Sequence, residues 1–159
     1  MSYFVQDLVP GGIILVRGRG IFADAIRWST GSPYTHAVYV LDRETLIEGL
    51  ATVVESPADK YKNVGDFFTL ADMAFVDTAA VSVWMRKHLG RRYGVKEILL
   101  DALRFDLHFV PRPRPLRHYT CSGLICAGFG SAGVILTRAP WPAPSDLAYS
   151  PLLLDSRVE

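Results

Sequence analysis

Cys121 lies in the run Tyr119-Thr120-Cys121-Ser122-Gly123-Leu124-Ile125, an apolar stretch that opens with residues able to cap a helix. A thiol at a helix start meets the positive end of the macrodipole and backbone N–H groups that lack helical partners. Both favour the thiolate, the nucleophilic form of cysteine. The same N–H groups can hold an oxyanion beside an attacked carbon. Ser122 and Gly123 are small, so a substrate can approach closely, and Ser122 joins the substrate-binding candidates. Read alone, Cys121 is more simply an ordinary buried cysteine. A base within reach would change that reading. His36 opens the apolar run His36 to Leu41, where an imidazole at a strand edge can titrate and serve a thiol. Glu48 stands inside Leu46-Ile47-Glu48-Gly49-Leu50, and a carboxylate among apolar residues needs a partner. A histidine on a neighbouring strand would suit it and would be oriented by it. The plainer readings are a surface histidine and an outward-facing glutamate.

The remaining reactive residues carry less. Cys126 lies about 140° around a helix from Cys121 and reads as core. A disulfide between the two inside one helix is geometrically poor, and two cysteines make no disulfide framework. His88 falls at a helix end and reads as surface. His108 and His118 flank an arginine-proline loop. His118-x-x-Cys121 has no second Cys/His pair at ligand spacing, so no metal site is expected. Arg112, Arg114 and Arg117 form a basic loop, either solvated or a clamp for an anionic substrate group, with Arg112 and Arg114 kept as substrate-binding candidates. The pair Gly18-x-Gly20 is followed by no Lys-Ser/Thr, so it makes no phosphate loop. No organic cofactor is implied.

Several elements must position these groups. Ile13 to Val16 reads as a short buried strand after the Gly11-Gly12 turn. Ile21 to Trp28 has helical apolar spacing. His36 to Leu41 and Thr45 to Leu50 form a hairpin across Asp42-Arg43, and Ala51 to Glu55 extends the sheet. Asp72 to Val76 reads as a further strand. Ala79 to Leu89, Val95 to His108 and Tyr119 to Gly130 read as helices, the last capped by Thr120 or a neighbour. Gly90 to Gly94 is a loop, and Pro111 to Arg117 is irregular because alternating prolines remove donors. The tail reads as proline-rich loop. The fold class is α+β: a small antiparallel sheet with helices packed on it.

The 159 residues suggest one domain, 1–159, with its core at about 10–150. Half are hydrophobic and 21% charged, which favours a packed fold over disorder. A net charge of +1 argues against a dedicated nucleic-acid binder. No run of about 20 apolar residues is present to span a membrane. The N-terminus lacks a basic region followed by an apolar run, so no signal peptide is expected. The expectation is a cytoplasmic protein, phage-associated or exported by another route. Oligomeric state is left open.

Taken together, six runs carry a resemblance: Gly12 to Gly18, Pro33 to Val40 with His36, Ile47-Glu48-Gly49, Arg92-Tyr93-Gly94, Tyr119 to Ile125 with Cys121, and Pro144 to Ala148. The chain resembles the circularly permuted papain-like branch of the NlpC-type cysteine peptidase superfamily. YiiX-like bacterial proteins are nearest in style, and the lecithin:retinol acyltransferase group is more distant. In that branch the histidine strand precedes the cysteine helix, as His36, Glu48 and Cys121 are ordered here. The resemblance implies Cys121 as nucleophile, His36 as base and Glu48 as the residue orienting the imidazole. It also implies a permuted papain-like fold, with a small sheet or barrel under the cysteine helix. Tyr93 matches a recurrent aromatic and is carried over as a pocket wall. Two departures stand out: the family's first strand usually begins Gly-Asp, where this chain has Gly11-Gly12, and Gly123 replaces a frequent glutamate. The implied activity is hydrolysis of an amide bond in a peptide-like substrate, such as a bacterial cell-wall peptide. The alternatives are a lipid acyltransferase or thioesterase of the same fold, and a non-catalytic binding module.

Overall fold

A computed structural model describes residues 3–20, 23–24, 27–28, 31–92, 119–140 and 142–155. The expected helix Val95 to His108 and the arginine-proline loop lie outside the described residues. Six strands form one open antiparallel sheet: β1 (Ile13–Val16), β2 (His36–Val40), β3 (Thr45–Gly49), β4 (Val53–Pro57), β5 (Gly65–Leu70) and β6 (Leu153–Asp155), in the order β4-β3-β2-β1-β5-β6. Among the described residues, it is accompanied by the helices α1 (Thr78–Arg86), α2 (Cys121–Ser131) and α3 (Pro144–Ala148). Residues 23, 24, 27 and 28 are helical, within the span where helical spacing was expected.

The sheet is covered on both faces. Side chains alternate along a strand, so one face receives Ile13, Leu15, Ala37, Tyr39, Ile47 and Phe68, packed with Val81 and Met85 of α1 and Leu124, Ile125 and Phe129 of α2. The other receives Ile14, Val16, Val38, Val40, Leu46 and Phe67, packed with Tyr3 and Leu8 from the N-terminal segment. This explains why β1 reads as four apolar residues in a row: a central strand buried on both sides has no polar face to show. The helix layer is close-packed. Tyr39 reaches Ser82 on α1 with its hydroxyl, 2.9 Å away. Gly128 lets α1 approach α2, since a Cβ there would stand 2.9 Å from Met85 Cε.

Two expectations from the sequence are corrected. Asp72 to Val76 is not a strand: the Asp72 carboxylate accepts from the Ala74 N–H at 3.3 Å and the chain turns through Met73–Phe75, leaving Phe75 85% exposed. The strand lies earlier, as β5. Its pattern is hidden because Phe67 faces one apolar cluster and Phe68 and Leu70 the other, while Asp66, just before them, is buried against Arg17 and Tyr34. The tail is not all loop. Pro144 begins α3, Asp146 accepts from the Ala143 N–H at 2.7 Å, and β6 pairs along β5. The sheet is open, which decides between the sheet and barrel alternatives.

Gly12, where the resembled family usually has aspartate, has a spatial cause. A Cβ there would fall 2.3 Å from Cε2 of Phe67, a ring locked in the core. Gly12→Ala should therefore lower stability by about 1–3 kcal/mol, the range for overpacking, read as a lower urea midpoint with unchanged m value.

Candidate active site

His36 and Cys121 each begin their element, and the two beginnings lie together. His36 opens β2, opposite Val16 on β1. Cys121 opens α2, which packs on β2. The helix starts there because Thr120 is extended and its hydroxyl accepts from the Gly123 N–H at 3.1 Å, while its carbonyl accepts from the Leu124 N–H at 2.8 Å. The thiol is buried, with 6% of the residue exposed, and hydrogen-bonds to the His36 ring. On the other side of that ring, Nε2 lies 3.0 Å from Glu48 Oε2. Nδ1 is thus the ring nitrogen left to serve the sulfur.

Glu48 is 1% exposed, and its carboxylate is surrounded by donors. Oε2 meets His36 Nε2 and accepts from the Tyr61 hydroxyl at 2.6 Å. Oε1 accepts from the Ser56 hydroxyl at 2.5 Å and from the Lys60 ammonium. Burial alone would push the carboxyl pKa up, but the hydrogen bonds from His36, Lys60, Ser56 and Tyr61 outweigh it and bring it down to about 2. Burial pulls His36 down, while hydrogen bonds to Cys121 and Glu48 and the charge of both raise it to about 9. Tyr61 is pushed well above the phenol range by burial and by its bond to Glu48, so it stays a donor. Its ring also stands edge-on to His36, centroids 6.1 Å apart.

The structure thus brings Cys121, His36 and Glu48 into one line. Ser122 is adjacent, with its Oγ 3.8 Å from Cys121 Sγ, but has no exposed surface to offer a substrate. Tyr93, Arg112 and Arg114 lie outside the described residues. Cys126 packs beside the core, and burial together with Asp146 and Cys121 pushes its thiol up to about 12. His88 is not a surface residue. It is 8% exposed, stacked on Trp84 at 3.6 Å with Tyr119 edge-on, and its Nδ1 meets the Trp84 carbonyl at 2.8 Å. Aromatic neighbours four residues back and across the layer cover it, which helix-end position alone does not reveal.

Ser56, Lys60 and Tyr61 were not singled out from sequence. Ser56 could have been: it stands opposite Leu46 in the β3–β4 register, on the face that Glu48 shares. Lys60 and Tyr61 arrive through the turn after β4, and no local pattern points them at Glu48. On β5, across β1 from β2, Asp66 is buried and takes hydrogen bonds from Arg17 and, at 2.7 Å, from the Tyr34 hydroxyl.

No family model and no curated protein matches the chain. Among solved structures, a crystal structure described as metalloprotein yiiX from Escherichia coli O157:H7, DUF1105, aligns with a TM-score of 0.67. The alignment covers 91% of this chain and 94% of that one at 14% identity. The chain has a YiiX-like fold. At that identity the likeness is one of architecture, and it spans nearly all of both chains. Within this YiiX-like fold, among the described residues, no group of three or more His, Cys, Asp or Glu side chains is arranged to hold a metal ion. Among the same residues, no helix is long and apolar enough to cross a membrane.

The shifted groups give a pH signature. Glu48 lies below its ordinary value, so its contribution to stability is full above about pH 4.5 and is lost as pH falls toward about 2. His36 lies above its ordinary value, so its contribution is full below about pH 6.5 and is lost as pH rises through about 9. Melting temperature followed across pH should show Glu48→Gln losing much less stability than the parent between pH 4.5 and 2. Parallel acid limbs would contradict the geometry around Glu48.

Proposed function

We propose that this protein is a papain-like cysteine hydrolase that cleaves an amide bond in a peptide-like substrate. The observation that carries this reading is the His36 ring held between the Cys121 thiol and the buried Glu48 carboxylate. That is the arrangement a thiol needs to react as a thiolate: an adjacent base, and a third group fixing the base's orientation and tautomer.

In this reading, His36 holds the proton of Cys121 as an imidazolium beside a thiolate. The sulfur attacks the carbonyl carbon, forming a C–S bond and pushing the carbonyl electrons onto oxygen. The Gly123 amide is bonded to Thr120, and the Cys121 N–H, at the helix start beside the sulfur, is the oxyanion donor we assign. Collapse of the intermediate breaks the C–N bond, and the imidazolium proton goes to the leaving nitrogen. Neutral His36 then takes a proton from water, which attacks the thioester. The C–S bond breaks, and sulfur leaves as thiolate beside the restored imidazolium. No step requires a metal or an organic cofactor. Glu48 contributes by remaining an anion throughout, which stabilises the imidazolium and fixes the ring's orientation through Nε2.

The reading makes a sharp distinction between the two cysteines. Alkylation by iodoacetamide should modify Cys121 rapidly well below pH 8.5, while Cys126 reacts slowly because its thiol lies near 12. His36→Ala should slow Cys121 labelling at pH 6 by about tenfold or more. Equal rates at the two cysteines, or indifference to His36, would remove the catalytic reading.

A further inference from the structure

Glu48 is bound by two cations at once. His36 meets Oε2 and Lys60 meets Oε1, so the carboxylate lies between them. Ser56 bonds to Oε1 and also lies 3.3 Å from Lys60 Nζ, which seats the ammonium. The Lys60 ammonium also stands over the Tyr61 ring, with Nζ 5.2 Å from its centroid. Lys60 is partly exposed, whereas Glu48 is enclosed. A serine and a tyrosine already bond to this carboxylate, so the ammonium adds a charge that orientation does not need.

The proposed chemistry supplies a need for that charge. During acylation His36 gives its proton to the leaving nitrogen and becomes neutral. With His36 as its sole counter-charge, Glu48 would then be a buried anion without a cation, a strongly disfavoured state. That cost would fall on the step in which His36 must act as an acid.

We infer that Lys60 is a positioning residue that tunes His36: its ammonium on the far oxygen of Glu48 keeps that carboxylate compensated in both protonation states of the imidazole, and so keeps the imidazolium able to release its proton. The inference rests on the reading of His36 as the base of Cys121. Its physical core, the coupling of Lys60 to His36 through Glu48, is testable without a substrate. The groups that face His36 are Glu48 from β3, Cys121 from α2, and Tyr61 from the turn after β4. On the β1 and β5 side, Arg17 and Asp66 pair with each other. Lys60 is the cation that touches the carboxylate holding the ring.

The test is the titration of His36 in the intact protein, followed by heteronuclear NMR of its ring and assigned by the signal missing from His36→Ala. Lys60→Met should move the His36 midpoint upward by about one pH unit, because the unshared carboxylate grips the proton harder. Lys60→Gln, which keeps a donor but no charge, should do the same and serves if the methionine variant does not fold. Lys60→Arg should restore the parent midpoint. An unchanged or lowered midpoint in the uncharged variants, or an equal rise in Lys60→Arg, would overturn the inference. The reading of His36 as base fails by a different observation, namely Cys121 labelling that ignores His36. The two failures are therefore distinguishable.

Discussion

Glu48 carries a negative charge where solvent does not reach, and much of the surrounding chain is arranged to make that tolerable. An isolated buried carboxylate would be driven to take up a proton. Here four side chains point donors at its two oxygens, and they come from β2, from β4 and from the turn that follows it. That requirement constrains geometry beyond the site. The β2–β3 hairpin must keep a register that leaves His36 and Glu48 on one face, and a slip by one residue would send the carboxylate to the helix side. β4 must run long enough to present Ser56, and the turn after it must fold back to bring Lys60 and Tyr61 within bonding distance.

The two-sided burial of the sheet explains both what the sequence revealed and what it concealed. β1 and the β2–β3 hairpin were legible because they are short apolar runs bounded by glycine or by Asp42-Arg43, and β4 was expected two residues early, at Ala51 to Glu55, because Glu55-Ser56-Pro57 breaks the apolar pattern. The start of α2 was legible because Thr120 precedes a long apolar stretch and is free to cap. β5 was not legible, because a strand buried on both faces loses its alternation and its one carboxylate is buried with partners from distant positions. The displaced strand at Asp72 to Val76 fell to a local side-chain bond that starts a turn. β6 is three residues long and gains its identity by pairing with β5, information no window of sequence contains.

The same division holds at the site. Cys121, His36 and Glu48 could be found because each is an odd residue in an apolar setting, and the order of the three carried a resemblance. Ser56, Lys60 and Tyr61 are unremarkable by type and neighbourhood, and what singles them out is the direction in which their atoms point. His88 erred the other way: a helix-end histidine is ordinarily solvated, but Trp84 and Tyr119 provide a wall that sequence proximity only half encodes. Odd residues in apolar settings are thus legible in the sequence, while the side chains that hold them are not.

The charged cluster and the thiol have separate origins in the chain. His36, Glu48, Ser56, Lys60 and Tyr61 all belong to one continuous stretch of sheet and turn, whereas Cys121 arrives on a helix that follows much later. The stretch can satisfy its own charges without the helix, since among the described residues the donors to Glu48 all come from within it. In the proposed reading, the reactive pair is then created by docking rather than by local folding. Any opening that lifts α2 from β2 leaves a stable ionic cluster on one piece and a thiol without a base on the other. Partial unfolding would disarm the nucleophile before it exposed it, which limits stray alkylation or oxidation of Cys121 to the docked state.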